Sequence, residues 1–261
     1  MELANKVVWI TGASGGIGEA LAYRIAREGA LLALSARRRQ ELERVTAALP
    51  PGTRSTMIAS DVVDFASIPE WLAQVEAELG PVDVLVNNAG ISQRSLVRDT
   101  SLQTYRLLME VDFFAPIALT QAVLPSMLER GSGQIVVMSS VAGKFGTPLR
   151  SGYAAAKHAL HGFFDSLRAE VAKDGVSVTA IVAGAIRTDV SINALTGDGS
   201  SYGVMDELQA TGIEVARAAD MMVKGIVAGE PEVLVAEGTS LQAYQLSRQD
   251  PTSVYRLFAL R

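Results

Sequence analysis

The sequence predicts an α/β fold: one doubly wound parallel sheet of about seven strands, with helices on both faces. Three observations carry this prediction. Short runs rich in Val, Ile and Leu recur without inside-outside alternation, as strands buried on both faces require. Longer segments with apolar residues at helical spacing separate those runs, the β-α alternation from which parallel sheets are built. At 261 residues, 49% apolar and 20% charged, the chain also has the size and composition for one continuous core, so 1–261 reads as a single domain.

Taken in order, the first strand is expected at 6–11, where Val7-Val8-Trp9-Ile10 forms an apolar run too short for a signal-peptide core. A glycine-rich turn then opens a helix at 16–28, stopped by Gly29. A strand at 31–35 leads through three arginines into a helix at 38–48. The strand at 54–60 precedes a helix at 65–79, closed by Gly80 and Pro81. Next come a strand at 82–87, a long helix at 101–129, a strand at 134–139 and a helix at 153–173, ended by Gly175. After the strand at 177–182, residues 188–211 scatter Gly197, Gly199 and Gly203 among Ser, Asp and Asn; an irregular stretch of this length inside a domain reads as functional, here a substrate lid. A helix at 213–228 and a strand at 232–235 complete the alternation. The last segment, 239–261, carries Tyr244, Leu246, Tyr255, Leu257, Phe258 and Leu260, suited to docking on a partner subunit.

Composition excludes several functions. A net charge of −5 leaves no broad basic face to displace counterions from a nucleic acid. Without cysteine there is no disulfide, thiolate metal site or cysteine nucleophile, and a reducing, cytoplasmic setting is the simpler expectation. No stretch is read as reaching the roughly 20 apolar residues of a membrane span. His158 and His161 lack further ligands and read as helix-surface or packing residues, so no metal is expected.

The turn Thr11-Gly12-Ala13-Ser14-Gly15-Gly16-Ile17-Gly18 joins a strand to a helix N-terminus, where glycines let backbone approach a pyrophosphate and free N–H groups face it. It lacks the Lys-Ser/Thr of a nucleoside-triphosphate loop. An acid at the end of the second strand would hold a ribose 2′-hydroxyl, but the chain reads Leu34-Ser35-Ala36-Arg37-Arg38-Arg39. Arg37, with the Ser14 hydroxyl, is therefore expected to clamp the 2′-phosphate of NADP(H), whereas Arg38 and Arg39 read as a solvated helix start.

These residues continue into a set of motifs: Asp61-Val62, Asn87-Asn88-Ala89-Gly90, Ser140, and Tyr153 followed four residues later by Lys157. In this order they resemble the short-chain dehydrogenase/reductases over essentially the whole chain. The resemblance implies a Rossmann fold in which Gly12, Ser14, Gly16, Ile17, Gly18, Arg37, Asp61, Val62, Asn88, Ala89, Gly90, Tyr153, Lys157, Ile186 and Thr188 bind the cofactor. Asp61 and Val62 would recognise adenine, Asn88 to Gly90 would flank its ribose, and Ile186 and Thr188 would contact the carboxamide. The chemistry fits the residue types. Carbonyl reduction needs an acid for the oxygen, a polarising donor and a cation, which Tyr153, Ser140 and Lys157 supply. A free phenol has a pKa of about 10, and a lysine one helical turn away favours its charged form.

Two departures from the family pattern stand out. Asp112 occupies the position of a relay asparagine and, when ionised, offers no donor while adding charge near Lys157. Gly184 lacks the usual preceding proline. The apolar residues of the lid, with Phe145 and Leu149, suit a hydrophobic carbonyl or secondary alcohol, and the runs Ser139–Leu149 and His158–Arg168 are similar to the branch that reduces steroids, retinoids and other lipophilic carbonyls. The resemblance also implies a homodimer or homotetramer. A non-catalytic NADP(H)-binding sensor and a nucleotide-sugar epimerase or dehydratase are the competing readings.

Overall fold

The computed structural model describes residues 2–259; Leu260, assigned above to a docking segment, lies outside them. Seven strands, β1 (Val7–Thr11), β2 (Leu31–Ala36), β3 (Ser55–Ala59), β4 (Val84–Asn87), β5 (Gly133–Ser140), β6 (Val176–Ala183) and β7 (Glu232–Val235), form one sheet in the order β3-β2-β1-β4-β5-β6-β7. Every pairing is parallel. The order reverses between β1 and β4, so the crevice beyond their C-terminal ends is where such a sheet binds ligands.

Side-chain alternation along β1 shows why both faces are buried. Val8 and Ile10 enter a core with Leu21 and Ile25 of α1 (Gly16–Ala26), Leu42 of α2 (Arg39–Ala47) and Met222 of the helix Val215–Ala228. Val7 and Trp9 point the other way, into a core with Val75 of α3 (Ile68–Glu78) and residues of the two long helices. The buried Trp9 indole donates to Ser35 Oγ at 3.0 Å, so its N–H is not stranded.

The helix expected at 101–129 is three pieces: α4 (Leu102–Met109), a π-helical turn (Glu110–Phe114) and α5 (Ala115–Arg130). Pro116 is the cause that the sequence offers. Its ring cannot donate to the Asp112 carbonyl one turn back and would crowd it, and the wider turn relieves both. The span Leu102–Arg130 has the length and composition of a membrane-crossing helix, which the hydropathy reading above had denied to any stretch. Its Leu119, Val123 and Met127 nevertheless pack into the core against the sheet.

Downstream lie α6 (Ser151–Glu170), α7 (Glu207–Ala210), α8 (Val215–Ala228), α9 (Gly238–Gln249) and α10 (Pro251–Phe258). Residues 188–211 are largely irregular, as expected, with Leu195 bridged to Gln93 and Ser201. The C-terminal segment, read from sequence as suited to docking on a partner subunit, packs in part on its own chain. Phe258 stacks on Phe145 at 5.7 Å, and Tyr244 and Leu246 pack against the same small core, so much of the apolar stripe is used within the chain. Tyr255 and Leu257 remain exposed.

Candidate active site

The β1–α1 turn is tied to the end of β4 by a compact hydrogen-bond set. Thr11 Oγ1 accepts from the N–H groups of Asn88 and Ala89, both at 3.0 Å, while Asn88 Nδ2 donates to the carbonyl of Thr11 at 2.8 Å. A Cβ at Gly18 would lie 2.3 Å from the Gly12 carbonyl oxygen, so this helix start admits glycine alone. Asn88 thus shapes the groove through its side chain, consistent with both a turn-forming and a cofactor-flanking role.

A groove of about 610 Å³ runs past this turn, lined by Gly12, Ser14, Gly16, Ile17, Arg37, Asp61, Val62, Asn88, Ala89, Gly90 and Thr188. Its far end carries two guanidinium groups. Arg37 lines the groove as expected, but it is Arg38 that donates to Ser14, at 3.2 Å to the hydroxyl and 3.3 Å to the carbonyl. Arg38, set aside in the sequence as a solvated helix start, is part of the site. Its position immediately before α2 was visible in sequence; its reach back to Ser14 was not. Gly18 and Ile186 are buried beneath the groove floor, Ile186 with its side chain in the core and next to the second cavity described below.

The groove meets a second cavity, of about 430 Å³, at Gly90, Ile91 and Thr188. Ser140, Tyr153 and Lys157 line this one together, so the three residues grouped by motif are grouped in space. Ser140 ends β5, and its Oγ accepts the Ala142 N–H at 3.1 Å, leaving the hydroxyl proton free to donate elsewhere. Tyr153 and Lys157 sit one turn apart on α6, with the lysine Nζ 5.6 Å from the tyrosine ring centroid. Nζ donates to the Met138 carbonyl at 3.0 Å and stands 3.7 Å from Asp112 Oδ2.

Asp112 is fully buried on the π-helical turn. Its Oδ1 accepts the Ile91 N–H at 2.8 Å, and among the described residues its Oδ2 has no hydrogen-bond partner, facing the ammonium at 3.7 Å. Burial pushes the carboxyl above its ordinary range, against the opposing pull of Lys157 and the Ile91 N–H. A π turn that carries a carboxylate to within 3.7 Å of Lys157 Nζ is a local irregularity of the kind found at functional sites.

His161 is more than a surface histidine. Its Nε2 lies 2.9 Å from Ser139 Oγ and its Nδ1 3.2 Å from Lys144 Nζ, and Lys144 is paired with Glu232 at 2.7 Å. Burial, with help from the Lys144 charge, lowers its pKa to about 4. His158 instead bonds the Ala154 carbonyl on the helix exterior. Sequence reasoning also missed Arg94, Arg150 and Asp206, which line the second cavity. Arg150 could have been found, lying one turn before Tyr153; the partners that join the three come from distant segments.

A pyrophosphate-sized glycine turn at a sheet's reversal point, opening onto a serine, tyrosine and lysine, defines a dinucleotide-dependent oxidoreductase class. The chain belongs to the short-chain dehydrogenase/reductase family: the family model described as short chain dehydrogenase matches residues 6–198. It is 44% identical to a dehydrogenase/reductase SDR family protein 7-like of Drosophila melanogaster, over all of this chain and 81% of that protein. It is 40% identical to a dehydrogenase/reductase SDR family member 7B of Danio rerio, over 99% of this chain and 86% of the other. Among solved structures, a short-chain dehydrogenase from Streptomyces avermitilis superposes with a TM-score of 0.82 at 32% identity, covering 97% of this chain and 95% of that one. One from Burkholderia phymatum, solved in complex with NAD, has a TM-score of 0.84 at 22% identity, covering 96% and 95%, which speaks to the fold.

Proposed function

We propose that the protein is an NADP(H)-dependent oxidoreductase acting on a carbonyl or secondary alcohol with a substantial apolar body. The observation that carries this is the joining of two cavities at one point: a groove with two guanidiniums and no strand-end acid at one end, and Ser140, Tyr153 and Lys157 at the other. The glycine turn fits a dinucleotide because no side chain fills it, and Ala36 leaves the strand end uncharged for a 2′-phosphate. Gly12 to Gly18 would receive the pyrophosphate, Arg37, Arg38 and Ser14 the 2′-phosphate, Asp61 and Val62 the adenine, and Asn88 to Gly90 the neighbouring ribose. Ile186 and Thr188 would border the nicotinamide, which supplies the hydride when bound.

The chain's own residues perform the remaining work. In reduction, the Tyr153 hydroxyl gives its proton to the carbonyl oxygen and the Ser140 hydroxyl donates a hydrogen bond to it; in oxidation, the tyrosine takes the proton back. Lys157 sets its ammonium beside the tyrosine ring, and Met138 and Asp112 hold that ammonium in place. Val190, Tyr202 and Leu208 from the irregular segment, with Phe145, Leu149 and Phe258, supply an apolar wall against which water is excluded. We further propose that the protein acts in the cytoplasm as a homodimer or homotetramer, with exposed Phe114 and Leu128 on the α4–α5 helix among the surfaces to be covered.

A titration of NADPH and NADH, followed by turnover on a panel of carbonyls and alcohols, tests this reading. Tighter binding of NADPH with turnover supports it. Preference for NADH overturns the cofactor assignment, and tight NADPH binding without turnover across the panel favours the sensor.

A further inference from the structure

We propose that Arg150, supported by Arg94, binds an anionic group of the substrate, a carboxylate or a phosphate ester, beside the reacting carbon. The inference deepens the proposed function, since it assigns a ligand to the same cavity. It starts from an excess of charge: among the described residues, that cavity is lined by three cations, Arg94, Arg150 and Lys157, and by a single carboxylate, Asp206. Lys157 already faces Asp112 beneath the floor. Two guanidiniums therefore share Asp206, and both reach the same oxygen of it, Oδ2.

The two arginines are not equivalent. Arg94 is buried and spends all three nitrogens on the protein: Nε and Nη2 on Asp206, Nη1 on Ser92 Oγ at 3.0 Å and on the Gln93 carbonyl at 2.7 Å. Its role is to hold Asp206 and to keep that end of the cavity positive. Arg150 makes one bond, from Nη2 to Asp206 at 3.2 Å, and among the described residues its Nε and Nη1 donate to nothing. Nη2 carries two hydrogens and gives one to Asp206, so the other, with the neighbouring Nε–H or Nη1–H, leaves one edge of two roughly parallel N–H donors free, the geometry that matches a carboxylate or phosphate. Burial and the like charge of Arg94 both act against its protonation, a cost that an anionic ligand would relieve.

The backbone aims this side chain. Leu149, immediately before it, has a φ of 66°, a left-handed conformation that a bulky non-glycine residue seldom adopts. The Leu149 carbonyl is held by the Ser95 N–H at 3.0 Å. Arg150 then caps α6 at the residue one turn before Tyr153, which places the free guanidinium edge and the tyrosine on neighbouring positions of one helix start. The substrate class this defines is an amphiphile: an acid or phosphate ester near the carbonyl, with an apolar remainder along Phe145 and Phe258.

Calorimetric titration of the full chain with octanoate, octyl phosphate and octan-1-ol, for wild type, Arg150→Met and Arg150→Lys, tests the assignment without requiring turnover. NADPH titration of the same variants reports their fold and the cofactor groove, so failure here is separable from failure of the oxidoreductase reading. At least one anion should bind about tenfold or more tighter than the alcohol, that preference should vanish in Arg150→Met, and Arg150→Lys should restore part of it. Which of the two anions binds tighter identifies carboxylate or phosphate. Equal binding of anions and alcohol, no binding of any of the three, or an anion preference that survives Arg150→Met overturns the proposal.

Discussion

Replacing Asp112 with asparagine changes one charge beside Lys157 and almost nothing in shape. Oδ1 keeps the Ile91 N–H, because an amide oxygen accepts as a carboxylate does. What is lost is a negative charge 3.7 Å from the lysine and, through it, within roughly 9 Å of the Tyr153 ring. At an effective dielectric constant of about 20, a unit charge at that distance is worth about 1.8 kcal/mol, or slightly more than one pH unit. The sign follows from the chemistry. Alcohol oxidation requires deprotonated Tyr153, and removing the carboxylate leaves Lys157 less neutralised, which favours that form. The pH–rate profile for oxidation by Asp112→Asn should therefore rise about one unit earlier than that of the wild type. Initial rates at saturating cofactor from pH 5 to 10, on variants matched for NADPH affinity, provide the assay. A superimposable profile would refute the reasoning, because it would mean that Asp112 carries no charge felt by the reacting group. Asp112→Ala differs in kind: besides the charge it removes the acceptor of the Ile91 N–H and leaves a void beside the buried ammonium, and it should cost about 3–5 kcal/mol of stability in denaturant melts.

Other consequences are independent of the relay. Gly18→Ala forces a methyl group against the Gly12 carbonyl and Asn88 Nδ2, so it should lower stability by about 1–3 kcal/mol and abolish NADPH binding; a variant with wild-type melting and affinity would contradict the packing described for the turn. His161 is folded with a pKa of about 4 against an ordinary 6.5, so the unfolded chain binds the extra proton between those values. Its contribution is whole above pH 6.5 and is lost as pH falls towards 4, about 1–2 kcal/mol after allowance for partial exposure; His161→Gln should flatten that part of a stability–pH curve. Arg37→Ala and Arg38→Ala should each weaken NADPH about tenfold and leave NADH nearly unchanged, as equilibrium titration would show.

The sheet was largely legible because parallel strands buried on both faces announce themselves as continuous apolar runs. The observed strands begin and end within two residues of the runs read from sequence. That Ser140, Tyr153 and Lys157 meet at one cavity was legible because the last two share a helix and Ser140 ends a strand. The π turn was not: helical periodicity runs through Met109 to Ala115 with little sign of an inserted residue, and Pro116 marks a disturbance without saying which way it turns Asp112. Charge partnerships were the least legible. Arg94, Arg150 and Asp206 are separated by 56 and 112 residues along the chain, and Lys144 from Glu232 by 88, so only the fold brings them together. Arg38 shows the same limit at short range, since its helix-start position suggests solvent while its side chain reaches back to Ser14.

In the proposed function, Tyr153 is the proton donor and acceptor for hydride transfer. The direct test is NADPH oxidation by Tyr153→Phe beside the wild type, with NADPH affinity measured on both. Loss of one hydroxyl should reduce turnover about a hundredfold or more with NADPH affinity nearly unchanged. Turnover at the wild-type rate in the phenylalanine variant would contradict it.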